Sequence, residues 1–80
     1  MMQLKLYGRE YCSLCVVMRE QLLVQAAGRF ELEWIDIEDI DALEALYGEL
    51  VPVLTDAGGK EICHYHLDLA ALDARLADLG

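Results

Sequence analysis

The first 36 residues contain two strand-like segments with a helical segment between them, and this order strongly restricts the fold. Residues 3–7 alternate polar and apolar side chains, and Phe30–Asp36 do the same. From residue 12 to about residue 26, one helical face collects the apolar residues Cys15, Met18, Leu22 and Ala26. Gly28 is typical of a helix end. A strand, a helix and a strand in this order predict two parallel strands joined by a right-handed crossover.

The next residues predict a short helix followed by a β-hairpin. We expect Asp41 to cap the helix, with Glu44 three residues on, and Gly48 to end it. The buried face of this helix is expected to hold Ile40, Leu43, Leu46 and Tyr47. Residues 50–56 form the next predicted strand, with Pro52 near its start, and residues 60–65 return after a turn at 57–59.

A last helix is expected to begin after a cap at Asp68. Its apolar face is expected to hold Leu69, Leu72, Leu76 and Leu79. The complete order is β-α-β-α-β-β-α, which predicts an α/β fold: a mixed four-stranded sheet with helices on both faces. A chain of 80 residues that is 56% hydrophobic favours one domain spanning residues 1–80.

Charge and composition exclude several classes of protein. The net charge of −9 argues against a nucleic-acid-binding protein, because Lys and Arg supply most of that affinity by neutralising phosphates. No apolar run approaches the roughly 20 residues of a membrane span. The three cysteines, an odd number, do not fit a secreted scaffold of paired disulfides. We therefore expect a soluble, cytoplasmic monomer that binds neither nucleic acid nor membranes.

Cys12 and Cys15 form a C-x-x-C motif where the first predicted strand leads into the first predicted helix. Positions three apart share one side of a helix, so the two thiols can reach disulfide geometry. Cys12 lies at the helix N-terminus, where the helix dipole stabilises an anion such as a thiolate. We therefore expect Cys12 to be the nucleophile and Cys15, on the buried face, to be the resolving thiol.

The spacing of the two cysteines alone leaves other interpretations open. Both could simply be small core residues. A metal could also bind the motif together with Cys63, His64 or His66. Structural zinc sites more often use two compact ligand pairs, and the second half of such a site is lacking, so we expect no metal.

Several segments of the chain together resemble a glutaredoxin of the thioredoxin superfamily. They are LYGREYCSLC, the segment LVPVL with its proline about 40 residues after the first motif cysteine, and the final hairpin and helix. The segments YGELVPVL and EICHYHLD are similar to small bacterial glutaredoxin-like domains in particular. The resemblance covers essentially the whole chain and implies a thioredoxin-like fold of the glutaredoxin type.

The resemblance also implies a substrate site around the two cysteines. The Val51–Pro52 bond is expected to be cis and to lie beside Cys12, and the backbone of Val51 is expected to pair with the substrate's cysteine. Arg9 is expected to bind a glutathione carboxylate. Tyr11 and Asp68 complete the implied substrate-binding residues.

The chain departs from the glutaredoxin pattern at three places. Ser13 and Leu14 lie between the cysteines, and Leu50 precedes Val-Pro where the family has threonine. The Gly-Gly that follows the family's last strand is replaced by His64, Tyr65 and His66. We expect these three residues to border the dithiol, to crowd glutathione and to modulate the site.

The predicted function is a thiol–disulfide oxidoreductase that acts on protein or small-molecule disulfides. It is expected to use no bound cofactor and to receive electrons from a reductase or, less effectively, from glutathione as a co-substrate. Two alternatives stay open: a thioredoxin-like binding module without turnover, and a metal or iron–sulfur carrier that uses the same cysteines.

Overall fold

The computed structural model describes residues 2–79, which form four strands and three helices. The elements are β1 (Met2–Gly8), α1 (Ser13–Ala26), β2 (Phe30–Asp36), α2 (Asp41–Tyr47), β3 (Val53–Asp56), β4 (Glu61–His64) and α3 (Leu69–Leu79). This is the predicted order β-α-β-α-β-β-α. None of the helices within residues 2–79 is long and apolar enough to cross a membrane.

The four strands form one mixed sheet in the order β2-β1-β3-β4. β1 runs parallel to β2, as the crossover through α1 requires, and antiparallel to β3. β3 and β4 form the antiparallel hairpin, whose register shifts between Leu54 and Thr55. The predicted mixed four-stranded sheet is therefore confirmed.

Helices cover both faces of the sheet. On one face, side chains of α1 and α3 pack on β1 and β3, and the buried cluster includes Leu4, Leu6, Met18, Leu22, Leu54 and Leu72. On the other face, α2 packs with the partly buried Leu43 and Tyr47 against a buried cluster of Tyr7, Ile37 and Val53. Leu6 and Tyr7, neighbours in β1, thus pack on opposite faces of the sheet, because successive side chains of a strand alternate between its faces.

The structure corrects the prediction for α2. Ile40 occupies the N-cap position without a side-chain hydrogen bond, and Asp41 is the first helical residue instead of the cap. Glu44 binds Arg9 rather than completing a capping box. Ile40 and Leu46 are 45% and 64% exposed, so only Leu43 and Tyr47 of the predicted stripe face the core.

The predicted cap of α3 is confirmed, but the strand and helix predictions around it need small corrections. The Asp68 carboxylate accepts a hydrogen bond from the Ala71 N–H at 3.0 Å. Leu72 is buried, whereas Leu69 is 48% exposed, and the Leu79 side chain lies outside the described part of the chain. β3 begins at Val53 and β4 covers Glu61–His64, so both strands are shorter than predicted.

Candidate active site

The two motif cysteines lie at the start of α1 and in its first turn. Cys12 is the N-cap residue, in an extended backbone conformation, and Ser13 is the first helical residue. The Cys12 Sγ accepts a hydrogen bond from the Cys15 N–H at 3.3 Å. The Cys12 N–H donates to the Arg9 carbonyl at 3.2 Å, which fixes the loop between β1 and α1. The helix N-terminus therefore directs an N–H at the sulfur of Cys12, as an N-cap position allows.

Cys15 lies beneath Cys12 and is fully buried. A Cβ added at Gly8 would lie 2.9 Å from the Cys15 Sγ and 2.8 Å from Cη2 of Trp34. A glycine at the end of β1 thus lets the buried thiol and the indole approach the strand. Burial, followed by a hydrogen bond with Cys12, raises the pKa of the Cys15 thiol to about 12. At neutral pH Cys15 is therefore a protonated thiol.

The loop that holds Val51 and Pro52, which we call the proline loop, lies at the same end of the sheet as the cysteines. The Val51–Pro52 peptide bond is cis, as predicted. Val53, the next residue, pairs with Tyr7 near the end of β1, so this loop meets the chain just before the motif. The Val51 N–H donates to the Tyr47 carbonyl at 3.0 Å. Because this bond occupies the Val51 N–H, a substrate strand can pair only with the Val51 carbonyl unless the bond opens.

The end of β4 and the residue after it lie against Pro52. The Tyr65 N–H donates to the Pro52 carbonyl at 2.9 Å, and the Tyr65 hydroxyl donates to the Glu49 carbonyl at 3.0 Å. Tyr65 has a φ of 65°, a left-handed backbone conformation that favours glycine. The tyrosine thus bridges the ends of two loops in a conformation for which glycine is better suited.

The histidines next to Tyr65 have separate surroundings. The His64 Nδ1 lies 2.7 Å from Oε2 of Glu61, and its ring packs edge-on to Tyr65. His66 lines a cavity together with Leu14 of α1. The structure thus brings His66 close to a residue between the two cysteines, whereas His64 is engaged by a carboxylate of its own strand.

Arg9 is close to the motif, but carboxylates already surround its guanidinium group. It donates to Glu44 at 2.5 Å and to the Gly48 carbonyl at 3.1 Å, and it lies 3.4 Å from Glu38. Its side chain is only 14% exposed. A glutathione carboxylate would have to replace one of these partners. Sequence reasoning missed both glutamates, since they are far from Arg9 in the chain and no local pattern links them.

The other predicted contact residues differ in their freedom to meet a substrate. Tyr11 is 76% exposed, next to Cys12 in the chain. Asp68 uses its carboxylate to cap α3. Trp34 was not predicted as part of the site, yet its ring lies beside Cys15, under the guanidinium of Arg19 at 4.4 Å. The alternation of β2, which turns Trp34 towards the core, is the sequence signal that could have predicted this contact.

The third cysteine and the metal alternative gain no support from the geometry. Cys63 is buried in β4, and burial raises the pKa of its thiol. Within residues 2–79, no three His, Cys, Asp or Glu side chains are grouped so that they could bind a metal ion. The alternative combination of the motif with Cys63, His64 or His66 is therefore not assembled among the described residues.

Comparison with known proteins identifies a family. Residues 3–77 match the family model described as a glutaredoxin-like domain (DUF836). The solution structure of protein Ne2328 from Nitrosomonas europaea is 42% identical, with a TM-score of 0.81, over 92% of this chain and 89% of that one. An X-ray structure of a target protein from X. campestris is 40% identical, with a TM-score of 0.70, over 94% and 96% of the two chains.

A more distant structure shows the wider fold. Oxidized thioredoxin O1 from Arabidopsis thaliana is 15% identical, with a TM-score of 0.60, over 98% of this chain and 77% of that chain. No match was found among curated proteins. This distant likeness shows the fold alone, whereas the family match supports a redox-type or thioredoxin-like role without naming a reaction.

Proposed function

Because the chain belongs to the glutaredoxin-like domain family of the thioredoxin superfamily, we propose that it is a thiol–disulfide oxidoreductase acting on protein or small-molecule disulfides. The observation that carries the proposal is the asymmetry of its two motif cysteines. Cys12 is partly exposed at a helix N-terminus, and its sulfur accepts an N–H. Cys15 is buried beneath it as a protonated thiol. This asymmetry favours Cys12 as the thiol that attacks the substrate disulfide and Cys15 as the thiol that resolves the mixed disulfide.

The proposed reaction has two exchange steps. The Cys12 thiolate attacks one sulfur of the substrate disulfide and forms a mixed disulfide. The other sulfur leaves as a thiolate, which takes up a proton from water in place of the one that Cys12 gave up on ionising. Cys15 then loses its proton and attacks the Cys12 sulfur, which releases the second substrate thiol and leaves a Cys12–Cys15 disulfide. The proton of Cys15 ends on the departing sulfur. Two electrons and two protons from an external thiol or a reductase restore the dithiol.

The surroundings of the dithiol favour an electron donor other than glutathione. Arg9 is the cation nearest to Cys12 in the chain, and two glutamates and a carbonyl already engage it. Tyr65 fills the place of a glycine against the Pro52 carbonyl. Glutathione is anionic and needs space beside the proline loop. A protein reductase is therefore the proposed donor, and no bound cofactor takes part.

Trapping of the mixed disulfide tests the proposal. Cys15→Ser should accumulate a covalent adduct between Cys12 and a substrate thiol, because the second thiol is needed to break it. Cys12→Ser should form no adduct and should lose disulfide reduction. Intact-mass measurement after incubation with a small disulfide, followed by peptide mapping, identifies the cysteine that carries the adduct.

Cys63→Ser is the matched control, since it removes a buried thiol outside the motif. It should keep turnover close to that of the wild type. An adduct on Cys15 in the Cys12→Ser variant would reverse the two roles. Loss of turnover in Cys63→Ser alone, with the fold intact, would contradict the proposed site.

A further inference from the structure

A groove runs along α1 away from the dithiol, between the helix and the segment that joins β4 to α3. Its first part, a cavity of about 110 Å³, is lined by Leu14, Val17, Met18, Gln21, Tyr65, His66 and Leu67. Its second part, of about 260 Å³, is lined by Gln21, Val24, Gln25, Leu67 and Leu69. Because both parts share Gln21 and Leu67, they form one continuous surface, which we name the α1 groove.

The α1 groove leaves apolar side chains in contact with water. Val17 is 50% exposed and Val24 is 75% exposed, although Leu22 on the opposite side of the same helix is fully buried. Leu69 is 48% exposed across the groove. The groove thus has exposed apolar side chains on both of its walls, between polar ones such as Gln21 and Gln25.

One end of the α1 groove includes a residue of the C-x-x-C motif. Leu14 lies between Cys12 and Cys15 in the chain and lines the first cavity. Tyr65 lines the same cavity and binds the Pro52 carbonyl through its N–H. A chain whose disulfide meets Cys12 can therefore extend from the site directly into the groove.

The charges around the α1 groove favour a cationic ligand. Among the described residues, no Lys or Arg lines either cavity. Arg29 donates to Gln25 at the far end of the groove, but its charge is paired with Asp73. Glu20 follows Val17 by three positions and precedes Val24 by four, so it flanks the groove on the helix surface. The whole chain carries −9, and all four arginines lie in ion pairs with carboxylates. The charge around the groove is thus negative, which favours a positively charged ligand over an anionic one.

We propose that the α1 groove binds an apolar, positively charged segment of a partner protein that carries the substrate disulfide. That the bound segment belongs to a substrate rests on the proposed function. That the groove binds such a segment rests on the groove alone. It places the determinant of specificity on the outer surface of α1, on side chains that take no part in the exchange of sulfurs.

The first test measures binding without chemistry. The probe is a peptide of Leu, Val and Lys residues around a central Ser in place of cysteine, added to the reduced wild-type protein. Chemical shifts of the backbone amides in ¹H–¹⁵N spectra should change at Val17, Gln21 and Leu67 and stay constant at Leu23. A peptide with Glu in place of every Lys should cause no such changes. Equal changes with both peptides, or none with either, would overturn the proposal, whether or not the protein reduces disulfides.

The second test measures specificity with matched variants. The ratio of kcat/KM for the same peptide in a disulfide to that for hydroxyethyl disulfide should fall about tenfold in Val17→Glu, the size of one lost apolar contact. Val24→Glu should act in the same direction. Leu23→Glu is the control, because Leu23 is 59% exposed on the same helix and lines neither cavity. An equal fall in Leu23→Glu would overturn the proposal.

The two tests separate the possible failures. Peptide binding with no turnover of any disulfide would contradict the oxidoreductase and leave the groove as a docking site. Turnover with the same ratio in all variants would refute the groove and leave the oxidoreductase. Sedimentation of the protein alone covers the case in which a second copy occupies the groove. A dimer that Val17→Glu dissociates would overturn the proposal.

Discussion

At the scale of single residues, the chemistry depends on how differently the fold treats two cysteines that are three positions apart. Cys12 ends a loop and meets an N–H from the helix, whereas Cys15 is enclosed by the end of β1 and Trp34. The spacing predicts that the two thiols share one side of α1. It does not predict the space at Gly8 that admits Cys15, since that space depends on a ring from β2.

The order of alkylation tests this difference between the cysteines. At pH 7, iodoacetamide should modify Cys12 at least about a hundred times faster than Cys15, because each unit of raised pKa removes roughly nine-tenths of the reactive thiolate. It should also modify Cys12 faster than the buried Cys63. Burial raises the pKa of both slower thiols, that of Cys15 to about 12. Peptide mapping over time measures the three rates, and the urea-unfolded chain, in which they should converge, is the control. Modification of Cys15 or Cys63 as fast as Cys12 in the folded protein would contradict the assignment.

Tyr65 supplies a second prediction at this scale. In the double variant His64→Gly/Tyr65→Gly, glutathione-driven reduction should rise about tenfold relative to the wild type, the scale of one removed steric block in a small site. Reduction driven by a thioredoxin reductase should already be efficient in the wild type. The coupled assays use the same disulfide with each donor.

Tyr65→Phe is the control for that experiment. It keeps the ring and removes the hydroxyl that donates to the Glu49 carbonyl. If the ring blocks glutathione, Tyr65→Phe should behave like the wild type. Robust glutathione-driven turnover by the wild type would contradict the crowding argument, and no gain in the double glycine variant would locate the block elsewhere.

At the scale of elements, a buried carboxylate fixes the hairpin and the last helix that frame the site. Asp56 accepts N–H donors from Gly58 at 2.9 Å and Lys60 at 3.0 Å through Oδ1. Its Oδ2 accepts two hydrogen bonds from Arg75 of α3, at 2.6 and 3.2 Å. One side chain therefore shapes the β3–β4 turn and ties α3 to the sheet.

The acid dependence of stability tests the role of Asp56. The Lys60 N–H and then Arg75 hold the pKa of the Asp56 carboxyl below its ordinary value. Because the pKa is lower in the folded state, the stabilisation is complete above the ordinary pKa of about 4 and is lost as pH falls through the folded value. Asp56→Asn should lower the melting temperature by several degrees at pH 7, and the difference from the wild type should shrink towards pH 2.

Asp78→Asn is the matched control for that measurement. Asp78 contacts the same arginine at 3.5 Å but is 75% exposed, so its loss should change the melting temperature little. Calorimetry at several pH values gives both comparisons. An equal effect of the two substitutions, or a difference for Asp56→Asn that persists at pH 2, would contradict the assigned role.

The elements also differ in how well the sequence predicts them. α1 and α3 have apolar residues that repeat with the helical period, and their positions and the Asp68 cap are predicted correctly. α2 has seven residues, too few for its period to fix a face, and Glu44 is drawn to Arg9 instead of a capping box. A long-range ion pair of this kind overrides the local pattern.

At the scale of the whole molecule, the predicted strand and helix order was sufficient for the fold. The crossover rule determines the parallel pair, and the turn at residues 57–59 determines the hairpin. The cis proline lies where the family resemblance implies it. The surroundings of the site depend instead on contacts between distant parts of the chain. Glu44 and Gly48 engage Arg9, and Glu49 holds Tyr65. Hydrophobic periodicity carries no information on such contacts.

The α1 groove, too, depends partly on features that the sequence predicts and partly on contacts that only the fold creates. The sequence predicts which residues of α1 face the core, but the exposed apolar side becomes a groove only because residues 65–69 lie beside it. Net charge is readable from composition. The pairing of every arginine with a carboxylate, which leaves the site without a free guanidinium group, is a property of the folded molecule.

A redox titration of the purified protein tests the central claim most directly. Samples equilibrated over a series of dithiol–disulfide buffers are quenched with acid, alkylated in urea at neutral pH and weighed by mass spectrometry. The proposed function predicts one two-electron transition, with the loss of two hydrogens and a disulfide that peptide mapping assigns to Cys12 and Cys15, while Cys63 stays alkylated at every potential. The Cys63→Ser variant should titrate identically. The absence of any transition, or a disulfide that includes Cys63, would contradict the claim that this domain works through a Cys12–Cys15 dithiol.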